Sequence, residues 1–150
     1  MPKRWANLMA SIMVATDGSS GALRAVEVAA DLAKALACDL LIVTVADHLS
    51  GEEVRQLPQT GVSTGAVLQA LTDQILRAAE SCAHELGAPG VEVRTCWGDV
   101  TQSLLDIAAK GSTKMIVVGR RGRGQLANLL LGSVAQKLVS LAPCPVLIVP

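Results

Sequence analysis

The stretch VVGRRGRGQLANLLLGS, residues 117–133, gathers residue types that can hold an anion. Gly119, Gly122 and Gly124 are interleaved with Arg120, Arg121 and Arg123, and a Gly132-Ser133 pair follows an apolar run. Glycine reaches positive φ at little cost, and its missing Cβ lets backbone N–H groups approach a bulky anion. Ser133 stands where a helix is expected to open. The first-turn N–H groups of a helix lack internal partners and its dipole is positive there, which favours phosphate. Ser133 adds a hydroxyl donor. Asp17 is the second residue of interest, just past the apolar run SIMVAT in the segment ATDGSS. Taken alone, the glycine cluster also suits a mobile connection, Ser133 an N-cap, and the three arginines a solvated charge cluster.

Other chemistries find little support. Cys38, Cys82, Cys96 and Cys144 are scattered without a Cys-x-x-Cys pair, and neither His48 nor His84 falls at metal-ligand spacing. These cysteines read as small buried hydrophobes of a reducing compartment, not as a zinc site. The glycine stretch is not the G-x4-G-K-[ST] loop of P-loop nucleotidases, and it contains no His or Glu to serve as a general base. His48, after the second apolar run, reads as a solvated connector residue. With 13 basic and 13 acidic residues the formal charge is zero, so no basic excess points to nucleic acid or an anionic membrane. Aromatic residues make up 1% of the chain, which leaves no base-stacking platform, and Trp5 and Trp97 are expected to pack.

The elements that must position the glycine stretch follow from periodicity. SIMVAT (11–16) is a β-branched apolar run closed by turn formers, and residues 20–37 repeat apolar positions at helical steps through Leu23, Val26, Ala30, Ala33 and Ala37. LLIVTVA (40–46) is a second strand, and the polar residues 47–64, with Pro58, form a long connection. A helix is expected over 65–86, stopped by GAPG. VEVRTCW (91–97) alternates as a half-exposed or edge strand does. A helix with Asp99 near its start, the strand KMIVVG (114–119), the helix SVAQKLVSLA (133–142) and the strand PVLIV (145–149) complete the order. Apolar strands joined by helices imply an α/β fold, a parallel sheet covered on both faces, with a ligand expected beyond the strands' C-terminal ends where the winding reverses.

A chain of 150 residues, 51% of them hydrophobic, has the size and composition of one folded domain and not of a disordered segment. No apolar stretch approaches the roughly 18 to 20 residues of a membrane span. The start, MPKRWANLMASIMVAT, is interrupted at Asn7 and Ser11, and cleavage there would remove the first strand, so it is not read as a signal peptide. A cytoplasmic protein is expected.

The spacing Gly119, two residues, Gly122, nine residues, Gly132-Ser133 resembles the G-x2-G-x9-G-[ST] pattern of the ATP-binding branch of the universal stress protein family. VATDGS after the first strand, GDVTQSLLDIAAKGSTKMIVVG and GSVAQKLVSLAPCPVLIVP resemble the same family, from about Ser11 onward. The resemblance implies a Rossmann-like, adenine nucleotide alpha hydrolase-like fold: a five-stranded parallel sheet of order 3-2-1-4-5 in a single domain, preceded by an extension over residues 1–10. It places ATP with Asp17 and Ala15 beside adenosine and the Val45 backbone on the base. Val118 and Gly119 lead into the phosphate loop, and Gly122, Gly132, Ser133 and Val134 hold the phosphates. Magnesium or manganese would accompany the triphosphate, with water and phosphate oxygens supplying most ligands. Ala15 and Val100 depart from residues common in the family, proline among them, without removing a phosphate-binding group.

The function the resemblance implies is nucleotide-dependent regulation in a stress response through an unnamed protein partner. A slow ATP hydrolase or phosphotransferase in the same pocket, and a nucleotide-free dimeric adaptor, are the alternatives. Relatives pair through the last strand, so a homodimer through Pro145–Val149 is expected, an apolar edge with no charge to protect it.

Overall fold

The structure, a computed structural model, describes residues 10–46, 61, 63–122 and 130–150. In chain order these form β1 (Ser11–Ala15), α1 (Ser20–Leu36), β2 (Asp39–Ala46), α2 (Thr64–Glu85), β3 (Val91–Trp97), α3 (Val100–Lys110), β4 (Thr113–Gly119), α4 (Ser133–Leu141) and β5 (Val146–Val149). The strands build one parallel sheet in the expected order β3-β2-β1-β4-β5. Expectations for the N-terminal extension, Trp5, His48, Pro58, Arg123 and Gly124 lie outside the described residues.

Three helices begin on a side chain that accepts from their first turn. Ser19 Oγ takes the Ala22 N–H at 3.2 Å, Ser63 Oγ the Ala66 N–H at 3.2 Å, and Asp99 Oδ1 the Gln102 N–H at 2.8 Å. Such a cap is worth about 1 kcal/mol. α1 ends on Ala37 in the left-handed region, at φ 51°, where glycine would sit with less strain.

Successive residues of a strand point to opposite faces, and here both faces are apolar. Ile12, Val14, Leu40, Ile42 and Val117 bury against α1 and α2. Met13, Leu41, Val43, Ile116 and Val118 bury against α3 and α4 through Leu104, Ala108, Ala135 and Leu138. Each fully buried aliphatic side chain contributes about 1.5–3 kcal/mol of transfer free energy. β3, at one edge, keeps Val91 and Val93 against the core and turns Glu92 and Arg94 outward, paired at 2.8 Å. The alternation read from its sequence is thus an edge strand.

The buried face of α1 holds Val26, Ala30 and Ala33 as expected and departs from the expected face at its two ends. Leu23 is 40% exposed and Ala37 is exposed, while Ala22, Ala25, Val26, Ala29, Ala30 and Ala33 face the sheet. The stripe of small residues brings the helix axis close to β1 and β4, and the larger Leu23 is left on the rim. Cysteine burial is also less than expected: all four are free, Cys38 is buried, and Cys82, Cys96 and Cys144 are half-buried; Trp97, expected to pack, is 54% exposed. Among the described residues, no helix is long and apolar enough to cross a membrane.

Candidate functional site

Strand length opens a notch at the C-terminal edge of the sheet. β1 stops at Ala15, paired with Val43. Thr16 adds one last rung, donating its N–H to the Val43 carbonyl at 2.9 Å. β2 continues through Thr44, Val45 and Ala46, which pair with Thr95, Cys96 and Trp97 of β3. At about 3.3 Å per residue β2 overshoots β1 by roughly 10 Å. On the other side β4 continues to Gly119, paired with Val149. The helices that follow β1 and β4 leave on opposite faces, so the crevice lies where the winding reverses.

Peptide groups of a strand alternate between its two neighbours. Val43 accepts from β1, whereas the Ala46 carbonyl accepts from the Gly98 N–H at 3.2 Å on the β3 side. Val45 is therefore aimed like Val43, its N–H and C=O directed above the end of β1. That orientation makes its backbone available to a planar group seated in the notch.

The opposite wall is the β4–α4 arm. Arg120 donates its N–H to the Val149 carbonyl at 2.7 Å, and its own carbonyl accepts from the Gly132 N–H at 2.8 Å. These two bonds clamp β5, the start of the loop and the head of α4 together. Gly132 is the N-cap of α4 and has no side chain to cap with, so Ser133 is the first helical residue and not the cap. Its hydroxyl is exposed, and the first-turn N–H groups are left to whatever enters the cleft.

Gly119 and Gly122 are needed for room and not for positive φ. Among the described glycines, positive φ occurs at Gly18, Gly61, Gly87 and Gly98, and not at Gly119, Gly122 or Gly132. A Cβ on Gly119 would lie 3.1 Å from the backbone C and O of Gly21 and 3.3 Å from the Ala22 nitrogen. One on Gly122 would lie 2.7 Å from Asp17 Oδ2. At Gly132 the nearest atoms, the Arg120 carbonyl oxygen and Arg121 Cα, are 3.4 Å away, an ordinary contact.

Ala15, Asp17, Val45, Val118, Gly119, Gly122, Gly132, Ser133 and Val134 all line this one cleft, of about 530 Å³. Its size is in the range of small-molecule sites. Several lining residues carry no local signature. Leu68, Leu71 and Ile75 of α2 form an apolar wall that includes Thr72, Thr16 follows β1, and Thr44 lies near the end of β2. Thr44 could have been flagged as the hydroxyl in an apolar run; the α2 wall has no motif to flag. Arg120 and Arg121 line the cleft as well. Asp17 is the one carboxylate among the described lining residues, and its Oδ1 accepts the Ser19 N–H at 2.9 Å. Among the described residues no group of three His, Cys, Asp or Glu is placed to hold a metal ion.

A second cleft, of about 630 Å³, opens at the opposite edge, between the N-terminal ends of the strands and the end of α3. Its charges are mixed (Asp39, Glu92, Asp106, Arg94 and Lys110), and Arg94 is already paired with Glu92. Helix N-termini point away from it. The notch at the C-terminal edge is the candidate site.

Comparison with known proteins identifies the chain's relatives. The Universal stress protein family matches residues 9–150. The chain is 34% identical over 146 residues to a universal stress protein of Thermus aquaticus, covering 93% of this chain and 97% of that one. It is 32% identical over 150 residues to the universal stress protein YxiE of Bacillus subtilis, covering 92% and 97%. Its fold is similar to that of a universal stress protein crystallised in complex with cAMP, at a TM-score of 0.72 and 30% identity over 94% of this chain and 97% of that one.

Proposed function

The chain belongs to the universal stress protein family, and on that premise we propose that it binds ATP in the notch above β1. The triphosphate lies over Gly119, Gly122 and Gly132, with Ser133 donating its hydroxyl and Val134 its N–H at the head of α4. The nucleoside lies toward β2, with Ala15 and Asp17 beneath it and the Val45 backbone on the base edge. Arg120 and Arg121 supply positive charge at the phosphate end. One observation carries the reading: Gly132 and Ser133, the uncapped head of α4, and Val45, the overshooting end of β2, face one cleft from opposite sides of β1. That a relative at 30% identity was crystallised with cAMP supports an adenine nucleotide as the occupant.

A divalent cation fits this site as a companion of the triphosphate and not as a resident ion. The described residues offer one lining carboxylate, Asp17, so phosphate oxygens and water would complete the shell of magnesium or manganese. Bound there, the cation would neutralise phosphate charge. Nucleotide occupancy, in this reading, governs contact with a regulatory protein partner during a cytoplasmic stress response.

Mass spectrometry of small molecules released by acid from the purified protein tests the occupant, and calorimetry with ATP, AMP and cAMP tests its selectivity. ATP or ADP is expected in the released pool, and ATP is expected to bind most tightly. A protein that releases no nucleotide and binds none at millimolar concentration does not use the cleft in this way.

A further inference from the structure

Three threonines are buried on the walls of the cleft: Thr16, Thr44 and Thr72. Two of their hydroxyls are committed to nearby backbone. Thr72 donates to the Leu68 carbonyl at 2.8 Å, one turn back along α2. Thr16 Oγ1 accepts the Gly18 N–H at 3.3 Å within the β1–α1 turn. The Thr44 hydroxyl differs. It makes no hydrogen bond to any described residue, although Thr44 is only 4% exposed. No sealed-off side-chain oxygen or nitrogen without a partner occurs among the described residues, so the Thr44 oxygen opens into the cleft that its residue lines.

A hydroxyl at this point has no structural task. Thr44 interrupts the strand run LLIVTVA, where valine offers the same branched shape and the same fit to a pleated strand. Valine also leaves no polar group to strip of water. Location assigns the hydroxyl its partner. Thr44 sits one residue past the last rung between β1 and β2, next to Val45, and pairs with Thr95 on β3. Gly119 is on β4, across β1, and neighbouring strands lie about 4.8 Å apart, so β2 and β4 are separated by roughly 10 Å. A nucleotide with its phosphates at the head of α4 extends its nucleoside, not its phosphates, over the end of β2.

We propose that Thr44 is a recognition residue for the nucleoside moiety, its hydroxyl exchanging a hydrogen bond with a polar atom of the bound adenosine. A hydroxyl both donates and accepts, so it serves a ring nitrogen or an amino group equally. This inference rests on the reading of the cleft as an adenine-nucleotide site and adds to it a residue that the glycine pattern does not contain.

The test is Thr44→Val, with Thr44→Ser as the rescue, measured by calorimetry against ATP and AMP and by thermal melting without nucleotide. Thr44→Val is expected to weaken ATP and AMP by the same factor, about fivefold or more, the scale of one neutral hydrogen bond. Thr44→Ser should recover most of that loss. The ligand-free Thr44→Val protein should melt at the same temperature as the unmodified chain or higher, because an unpartnered hydroxyl has been removed. Unchanged affinity in Thr44→Val overturns the proposal while leaving the nucleotide site standing. A loss for ATP alone moves Thr44 to the phosphate end and overturns the assignment, and a markedly lower melting temperature shows that the hydroxyl has a structural task after all. Failure of the unmodified chain to bind either nucleotide overturns the underlying reading, and this proposal with it.

Discussion

The Asp17 carboxylate occupies the space that a side chain at position 122 would need. An ideal Cβ on Gly122 falls 2.7 Å from Asp17 Oδ2, while Oδ1 of the same group accepts the Ser19 N–H at 2.9 Å. The turn after β1 and the loop after β4 are thus fitted to each other across the notch, although 105 positions separate them in the chain. Gly122→Val forces the carboxylate out of its turn and fills the mouth of the loop. ATP affinity is expected to fall at least about tenfold, or roughly 1.4 kcal/mol. Calorimetry checks this, and equal affinities for variant and parent would remove Gly122 from the site.

Gly119 is constrained differently, by backbone. A Cβ there would meet the C and O atoms of Gly21 and the nitrogen of Ala22, none of which belongs to a side chain that can turn aside. Gly119→Ala must push β4 away from the first turn of α1. Overpacking of this kind costs about 1–3 kcal/mol. Urea denaturation should therefore show a clear loss of stability for Gly119→Ala. The nearest described atoms around Gly132 leave room for a methyl group, so Gly132→Ala should lose less.

How far the site could be read from the sequence depends on the range of the interaction. Asp99 as a helix cap, the alternation of β3 and the helix head at Ser133 are local, and a window of a few residues carries each of them. The order of the strands is not local; it came from the family resemblance, since periodicity identifies strands and not their neighbours. Positions decided by packing were harder. Leu23 looked like a core residue because it is apolar at a helical step, yet the alanines around it let α1 approach so closely that Leu23 was displaced to the rim. Ile75 reaches the site because Gly18, at φ +81°, brings the β1–α1 turn against α2, where a Cβ would lie 2.9 Å from Ile75 Cγ1. Nothing within the helix foretells that contact. The glycine motif itself was visible, but at Gly119 and Gly122 its physical basis was room for neighbours, not freedom of φ.

The cysteines give a pH-dependent readout. Burial raises the Cys82 thiol pKa, and the carboxylates of Glu27, Glu85 and Asp31 raise it further. Burial also raises that of Cys144, partly opposed by a backbone hydrogen bond from Ile116. A raised thiol pKa means less thiolate in the folded state, so both residues should alkylate slowly at pH 8 and faster once the chain is unfolded. The linkage has the matching sign. The folded state keeps protons that the unfolded chain releases above about pH 8.5, so stability should decline as pH rises through that value. Peptide mass spectrometry after timed iodoacetamide labelling checks the first expectation; labelling of native Cys82 at the rate of a free thiol would contradict it.

Turnover of bound ATP should be slow or absent. Hydrolysis needs a water held in line with the terminal phosphate and a group to take its proton. No His or Glu lines the cleft among the described residues, and the one carboxylate, Asp17, is engaged with the Ser19 N–H. Steady-state phosphate release is expected to stay below about 1 s⁻¹, the lower end of ordinary enzymes. A faster rate, abolished by Gly122→Val, would identify an ATP hydrolase.

Assembly is expected at the β5 edge, which no described strand pairs. β5 closes the sheet on the side opposite β3, and where β3 turns Glu92 and Arg94 outward, β5 reads VLIV. A second copy offering the same strand about a two-fold axis would satisfy the open peptide groups and cover both apolar sets. The choice of variant depends on which groups are open. The carbonyls of Pro145 and Val149 accept from Ile116 of β4 and from Arg120 just beyond it, so by alternation the peptide groups of Val146 and Ile148 face outward. Replacing Leu147 or Val149 by Lys would not test the edge, because Val149 is 7% exposed and Leu147 packs against the core under α1. Ile148→Pro removes one outward N–H and leaves the ladder to β4 intact, as proline can on an edge strand, at the cost of the Ile148 side chain's packing against the core under α3 and α4. We therefore expect the unmodified chain to be a homodimer at micromolar concentration and Ile148→Pro to be a folded monomer, by light scattering and circular dichroism. A monomeric parent would mean that something other than a second copy covers β5, and a dimeric Ile148→Pro would place the interface on another surface.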